Sequence, residues 1–239
     1  MHIFLRKRNV LIVFTLVCSL VAFIVCANAL GTVSVKSSDE YKVKIVLDAG
    51  HGGIDGGVSG VNTNVKESDL NLKIVKALKR QLENAGMQAV LTRENEDGLY
   101  GNAAYGSLKR KDMERRRDII NEAKPDLVVS IHLNKFSSSS RRGAQVFYKK
   151  GSEKGKMLAD CIQNSFNSME EATRSYSALT GDYYILNCTE YPSVIAECGF
   201  LSNPEDEKLL LTEEYREKVA YAVFKGIVNY FSENAFAYF

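Results

Sequence analysis

Two histidines stand where predicted strands end, and they are the side chains of this chain best suited to metal chemistry. His51 follows the apolar run KIVLDAG, and His132 closes the run DLVVSIH. In open α/β sheets, ligands and catalytic groups gather at the carboxyl ends of strands. A single histidine at such a place is more often a hydrogen-bonded structural side chain. Because the only other histidine, His2, lies near the amino terminus, the two placements together favour a metal site.

Acidic residues near these histidines offer a third ligand. Two neutral imidazoles and one carboxylate form a common catalytic zinc set, which leaves a fourth position for water. Glu67 opens the first predicted helix after His51. An acidic residue in a first helical turn can also serve only to interact favourably with the helix dipole. The spacing alone does not favour either the ligand or the dipole interpretation of Glu67. Asp48 and Asp55 are rivals, and Asp48 is the better candidate for a hydrogen-bond acceptor behind a ligand histidine.

Glu197 is a candidate general base. It lies near the end of the apolar strand SVIAECGF, where a carboxylate is costly unless it faces a polar cleft or a metal. Beside an activated water it can accept the water's proton and then deliver that proton to a leaving amine nitrogen. The alternative interpretation is that Glu197 is one partner of a buried ion pair.

Strands and helices alternate along the chain. Apolar, β-branched runs predict strands, and amphipathic runs between several of them predict helices. This alternation predicts a single α/β domain with a mainly parallel, twisted sheet flanked by helices and with the zinc site at the carboxyl ends of the strands. The predicted strands are 44–49, 87–92, 127–132, 144–148 and 193–198, and the predicted helices are 67–85, 109–123, 152–167 and 213–231. Polar composition predicts loops at 94–107 and 137–143, and we expect 94–107 and 169–182 to border the substrate groove.

The amino-terminal 29 residues have the features of an export segment. A basic cluster at 6–8 precedes an apolar run over 10–26, and a small-x-small pattern follows at 27–29. The run of 17 residues is intermediate between a signal-peptide core and a membrane span, so we predict either a cleaved signal peptide or an uncleaved anchor. The prediction is an exported protein, secreted to the cell-wall side or membrane-anchored, with a linker at 30–42 and the catalytic domain at 43–233.

Charge and cysteine content exclude other classes. Without Arg6, Lys7 and Arg8, the chain carries 28 basic and 29 acidic side chains, so there is no electrostatic case for nucleic-acid binding. The three cysteines after the leader are an odd number without the CxxC spacing of a thiolate metal site, and they predict neither a disulfide framework nor a metal site. They are Cys161, Cys188 and Cys198.

Several motifs in order resemble those of the zinc-dependent N-acetylmuramoyl-L-alanine amidases of bacterial cell-wall turnover. They are DAGHGGIDGG, NVKESDLNLKIVKALKRQLENAG, VLTREN, RRRDIINEAKPDLVVSIHLN and PSVIAECGFLSNPED. The resemblance extends over 44–231, which is almost the whole chain after the leader. The chain departs from the usual pattern in having SIHLN where SIHAN is common, and in having Cys198 where a small or polar residue is common, so we expect the pocket walls to differ.

The resemblance implies roles for individual residues. It implies that His51, Glu67 and His132 hold one zinc ion per chain and that Glu197 is the general base, and it thereby favours the ligand interpretation of Glu67. It also implies that the two remaining matched positions shape or support the site. These are Asn134 and Arg93.

The implied activity is hydrolysis of the amide between N-acetylmuramic acid and L-alanine, with peptidoglycan glycan strands and their stem peptides as substrate. More narrowly, the chain resembles sporulation amidases that prepare muramic lactam in spore cortex. Membrane contact is expected only through the amino-terminal segment, and the sequence leaves open the need for an activating protein partner. A zinc peptidase acting on stem peptides and a non-catalytic cell-wall-binding module are the alternatives, and the second has no reason to retain all four chemical positions.

Overall fold

The structure of the protein is a computed structural model that describes residues 43–236. The predicted export segment at 1–29 and the predicted linker at 30–42 lie outside the described residues. The strands are β1 (Lys44–Ala49), β2 (Gln88–Leu91), β3 (Leu127–Asn134), β4 (Gln145–Tyr148), β5 (Leu179–Thr180) and β6 (Ser193–Phe200). The helices are α1 (Glu67–Asn84), α2 (Leu108–Ala123), α3 (Glu153–Asn167), α4 (Tyr184–Asn187), α5 (Pro204–Leu210) and α6 (Glu213–Phe236).

The strands form one sheet in the order β2-β1-β3-β6-β4-β5. The four strands β2, β1, β3 and β6 are mutually parallel, β4 is antiparallel to β6, and β5 is parallel to β4. The central strands are apolar on both faces, as parallel strands covered by helices on both sides must be. The predicted fold class, a single α/β domain with a mainly parallel sheet flanked by helices, is confirmed.

Helices cover the two faces of the sheet unequally. α1, α3 and α6 pack on one face and form the larger apolar cluster, whereas α2 and α4 pack on the other face around a smaller cluster. Side chains alternate between the faces along a strand. Val128 and Ile195 belong to the smaller cluster, so His132 and Glu197, which have the same parity on β3 and β6, are on that face too.

Several elements differ from the prediction. β3 and β6 each extend two residues further, to Asn134 and Phe200, and a 3-10 turn at Tyr105–Ser107 interrupts the predicted loop at 94–107. The prediction missed β5 and α4, because two and four residues are too few for a periodic pattern to be visible. It also missed α5, although an Asn203 cap followed by a proline is a typical helix start. None of the helices within 43–236 is long and apolar enough to cross a membrane.

Candidate active site

The backbone turns sharply at the end of β1 and aims the His51 side chain across the sheet edge. His51 has a φ of 61°, a conformation that is uncommon for residues other than glycine. The turn is held because the His51 carbonyl accepts a hydrogen bond from Arg116 at 2.6 Å, and the Gly50 amide donates to Ile131 at 3.0 Å. The strained turn therefore places the first predicted ligand beside the end of β3.

Three predicted ligands meet at this edge. His51 Nε2 lies 3.3 Å and His132 Nδ1 lies 2.9 Å from Glu67 Oε1. One nitrogen or oxygen atom from each residue lies within 4.8 Å of the other two. Two imidazole nitrogens and a carboxylate oxygen are donors that Zn²⁺ prefers, so the donor set and its convergence fit a zinc ion.

Glu67 is held in place by its backbone and side-chain partners. Its side chain is 2% exposed, and its Oε2 accepts a hydrogen bond from the Val58 amide at 2.9 Å. Its Oε1 also accepts from the Leu133 amide at 3.1 Å and from Asn71 Nδ2 at 3.2 Å. Burial alone raises the pKa of Glu67, but the hydrogen bonds and charges of the two histidines outweigh it and hold the pKa far below its usual range. Glu67 is therefore ionised.

The orientation of His51 is set by a second carboxylate. Its Nδ1 lies 3.0 Å from Asp55 Oδ1, which leaves Nε2 facing Glu67. Burial lowers the pKa of His51, but Glu67 and Asp55 together raise it to about 9. Asp55 thus has the position behind a histidine that the sequence favoured for Asp48.

Asp48 lies within β1, three residues before His51, and forms a buried ion pair with Arg116 at 2.5 Å. It also accepts hydrogen bonds from Thr92 at 2.7 Å and from Ser130 at 2.6 Å. Burial raises the pKa of Asp48, but Arg116 and these hydroxyls lower it to about 2. Since Arg116 also bonds the His51 carbonyl, this ion pair supports the strained turn.

Two glycines that the prediction passed over make room for the site. A Cβ atom on Gly50 would overlap the imidazole of His132, and one on Gly57 would overlap the carboxylate of Glu67. Gly57 also has a φ of 69°, which favours glycine. The glycine-rich run GHGGIDGG was the available signal, since glycine lets the backbone approach other groups closely.

Glu197 is the register partner of His132 on the neighbouring strand. Its Oε2 is buried and has no hydrogen-bond partner within the described part of the chain. Burial is the largest influence and raises the pKa of Glu197 to about 7; the Glu67 charge adds to this effect, and the two histidines oppose it. The alternative interpretation of Glu197 as a buried ion-pair partner finds no support among residues 43–236, where no Lys or Arg side chain pairs with it.

A cavity of about 520 Å³ opens beside the two histidines, on the face of the sheet that α2 and α4 cover. Tyrosines form much of its rim, and Tyr183 and Tyr184 are 42% and 44% exposed. Tyr100, from the predicted loop at 94–107, also lines the cavity. The two rim tyrosines directly follow the predicted border segment at 169–182.

The two supporting positions differ in their contacts. Arg93 is buried and donates to the carbonyls of Ala49, Gly50 and Ser68 at 2.9, 3.1 and 2.8 Å. It therefore ties the end of β1 to α1. Asn134 Oδ1 accepts only from the Lys135 amide within the described residues, so its side chain is not bonded to the histidine and glutamate cluster.

Comparison with known proteins agrees with this geometry. Residues 45–229 match the N-acetylmuramoyl-L-alanine amidase family, and the chain belongs to that family. It is therefore a hydrolase of the peptidoglycan amidase class, as predicted. The germination-specific N-acetylmuramoyl-L-alanine amidase of Bacillus subtilis is 36% identical over 192 residues, which are 79% of this chain and 80% of that protein.

Solved structures give the same assignment. The CwlD amidase from Clostridioides difficile, solved in complex with the GerS lipoprotein, is 38% identical and superimposes with a TM-score of 0.77 over 80% of this chain and 99% of that chain. The catalytic domain of the amidase CwlV from Bacillus (Paenibacillus) polymyxa is 26% identical, with a TM-score of 0.68 over 80% of this chain and 98% of that chain. The family and the fold that the motifs predicted are both confirmed.

Proposed function

We propose that the chain is a zinc-dependent enzyme in which His51, Glu67 and His132 hold one zinc ion and Glu197 is the general base. The reaction is hydrolysis of the amide that joins N-acetylmuramic acid to L-alanine. The observation that carries this proposal is the convergence of two imidazole nitrogens and an ionised carboxylate beside a second carboxylate whose Oε2 has no hydrogen-bond partner among residues 43–236.

Different side chains bind the metal and transfer the proton. A zinc ion bound here supplies Lewis-acid chemistry, which polarises a carbonyl oxygen and promotes ionisation of a water. Glu67 offers an ionised oxygen, and Asp55 accepts from His51 Nδ1 so that Nε2 faces inward, where it offers a lone pair once its proton has left. These contacts hold the ligand atoms in position before any substrate binds.

Glu197 accepts the proton of the attacking water and delivers it to the amine nitrogen of L-alanine as the amide bond breaks. Its place on β6, in register with His132, puts the carboxylate next to the ligand cluster without making it part of that cluster. The tyrosine-rimmed cavity supplies room for the substrate groups on one side of the amide.

The narrower biological role is in spore cortex peptidoglycan, where removal of stem peptides prepares muramic lactam. The similarity to the Bacillus subtilis germination-specific amidase and to the Clostridioides difficile CwlD amidase supports this role. The chain acts outside the cytoplasmic membrane after export through residues 1–29, which provide its only membrane contact, and it has no nucleic-acid partner. A protein partner is part of this proposal, since the CwlD structure was solved with a lipoprotein.

One digestion experiment tests the reaction and the metal together. Purified peptidoglycan is incubated with the chelator-treated protein, with and without added zinc, and the products are identified by mass spectrometry. Free stem peptides that begin with L-alanine, released only when zinc is present, are the expected result. Shorter peptides with the muramic attachment intact would instead establish a peptidase. Cortex muropeptides from a sporulating host that lacks this chain test the narrower role, which predicts the loss of muramic lactam.

A further inference from the structure

The connection between β3 and β4 passes over the strand that carries Glu197. β3 and β4 lie on opposite sides of β6, so residues 135–144 must cross the carboxyl end of β6. Gln145, the first residue of β4, is in register with Glu197. The connection is fastened to the chain after β6, because the Phe136 amide donates to Ser202 Oγ at 3.0 Å and Asn203 Nδ2 donates to the Ser139 carbonyl at 2.6 Å.

Arg141 of this connection is enclosed by three aromatic rings. Its Cζ lies 5.0 Å from the ring centre of Phe136, 5.7 Å from that of Tyr176 and 5.5 Å from that of Phe200. Phe136 lies two residues after the end of β3, the strand of His132, and Phe200 is the last residue of β6, the strand of Glu197. Ring faces attract a cation and hold the planar guanidinium in one orientation, so the side chain is already ordered without a ligand.

The guanidinium nevertheless has no counter-charge among residues 43–236. Its Nε is buried with no hydrogen-bond partner, and no acidic side chain within residues 43–236 forms an ion pair with it. The adjacent Arg142 is different, because its Nε bonds Asp206 Oδ1 at 3.2 Å. Asp206 Oδ2 is also occupied, since it accepts from the Gly143 and Phe200 amides at 2.8 and 3.0 Å. Arg142 therefore has a structural partner, whereas Arg141, on the connection that crosses the carboxyl end of β6, has no ion-pair partner among residues 43–236.

We propose that Arg141 binds a carboxylate of the stem peptide and so selects substrates by the charge of that peptide. This inference rests on the proposed function. A guanidinium recognises a carboxylate through charge-assisted hydrogen bonds, and the Nη atoms of Arg141 are the donors for this contact. Only the peptide side of the scissile amide carries free carboxylates, because the lactyl carboxyl of the muramic acid is itself part of the amide.

The distances point to a carboxylate near the start of the peptide. Phe200 pairs with Asn134, two residues beyond the pair of His132 and Glu197, which corresponds to about 7 Å along the strands. An extended peptide covers the same distance, about 7 Å, with two residues. L-alanine has no side-chain carboxyl, so the first available carboxylate belongs to the second residue, an isoglutamate.

A matched pair of substrates isolates this carboxylate. N-acetylmuramoyl-L-alanyl-D-isoglutamate and N-acetylmuramoyl-L-alanyl-D-isoglutamine, each with the γ-carboxyl of its second residue blocked as a methylamide, differ only by an α-carboxylate against an α-carboxamide. Cleavage of both is measured with the zinc-loaded wild type and with R141Q and R141K. For the wild type we expect a KM about tenfold lower for the carboxylate form at similar kcat. In R141Q the two KM values become equal, and R141K retains part of the preference because it keeps the charge without the planar fork.

Binding measurements keep the test independent of turnover. The affinity of each compound for E197Q and for the double variant E197Q/R141Q is measured by calorimetry, and only the first protein is expected to prefer the carboxylate form. Equal affinities in E197Q, or an equal loss of kcat/KM on both substrates in R141Q, would overturn the role of Arg141. Failure of the wild type to cleave either compound counts instead against the proposed function.

Arg174 provides the matched control. Its Cζ also lies 5.7 Å from the Tyr176 ring, but the side chain is exposed and makes no stacking contact with Phe136 or Phe200 in the described structure. R174Q should leave the preference between the two compounds unchanged. A loss of preference in R174Q equal to that in R141Q would show that net charge near Tyr176, and not the enclosed guanidinium, is responsible.

Discussion

Glu67 and Glu197 lie at the same edge of one sheet, and their surroundings are opposite. Glu67 accepts hydrogen bonds from two backbone amides, and its carboxylate contacts both histidines. Glu197 has a buried Oε2 that no described residue contacts through a hydrogen bond. The pKa of Glu67 is accordingly held far below its usual range, whereas burial raises that of Glu197 to about 7.

The different hydrogen-bond surroundings of Glu67 and Glu197 explain how two carboxylates in one site can have separate roles. A carboxylate with many donors is ionised and rigid, and these are the properties of a metal ligand. A carboxylate with few donors can exchange a proton near neutral pH, which a general base must do. Hydrogen-bond donors, more than distance from the cluster, therefore distinguish the proposed ligand from the proposed base.

The largest effect is expected from E197Q, which tests the base directly. The variant should retain zinc, because Glu197 is not one of the three proposed ligands, but kcat should fall by about 10² to 10⁴-fold. Release of stem peptides and metal content by mass spectrometry are the two measurements. E190Q, at an exposed position, is the control and should behave as the wild type. Appreciable turnover by E197Q would refute the assignment.

The next effect is expected from E67A, which tests the other carboxylate. Removal of one of three ligands should leave the protein with well under one zinc ion per chain after dialysis, and activity should fall with the metal. E83Q, at an exposed position on the same helix, should keep its zinc. Unchanged metal content in E67A would remove Glu67 from the ligand set.

G50A tests whether close packing positions the His132 ring. The added Cβ would overlap the imidazole, so the ring must shift away from Glu67 and zinc affinity must fall while the fold is retained. G106A is a suitable control, because a Cβ at Gly106 meets nothing within 4 Å. Equal zinc titrations for the two variants would contradict this explanation.

D55N should have a smaller effect, since Asp55 acts through His51. Loss of the charged acceptor on Nδ1 should weaken zinc binding by about 10- to 100-fold, and excess zinc should restore most of the activity. D97N, at an exposed position outside the cluster, is the comparison. If excess zinc fails to restore activity, Asp55 has a role beyond orienting the histidine.

The smallest effect concerns Asp48, a third carboxylate with a structural role. The pKa of Asp48, about 2, lies below the ordinary value of 3.8. Its contribution to stability is therefore fully present when the pH is well above 3.8, and it is lost as the pH falls towards 2. The free energy of unfolding should decrease by on the order of 1 to 2 kcal/mol through this group. The free energies of unfolding of the wild type and of D48N are measured by urea titration at pH 5 and at pH 3. The difference between the two proteins should be smaller at pH 3, and an equal difference at both pH values would contradict this explanation.

Much of the fold was predictable because strand and helix periods are local. The runs at 44–49 and 213–231 were identified from the pattern, and β1 has the predicted bounds. β5 and α4 were missed because elements of two and four residues contain no full period. The order of the sheet was not predictable either, because no local pattern states that β6 lies between β3 and β4.

The residue types of the site and their placement at element ends could be read from the sequence, because strand ends, helix starts and motifs are encoded in consecutive residues. His51, His132 and Glu197 were found in this way, and the family assignment followed from the motif order.

The contacts between side chains could be known only from the tertiary structure. It favoured Asp55 over Asp48 as the acceptor behind His51, placed Gly50 beneath the His132 ring, and left the Nε of Arg141 buried without a hydrogen-bond partner among residues 43–236. The contact of Gly50 with His132 joins residues far apart in the chain, and the energies of all these interactions depend on burial and on available donors. Neither quantity exists until the strands have assembled into the sheet.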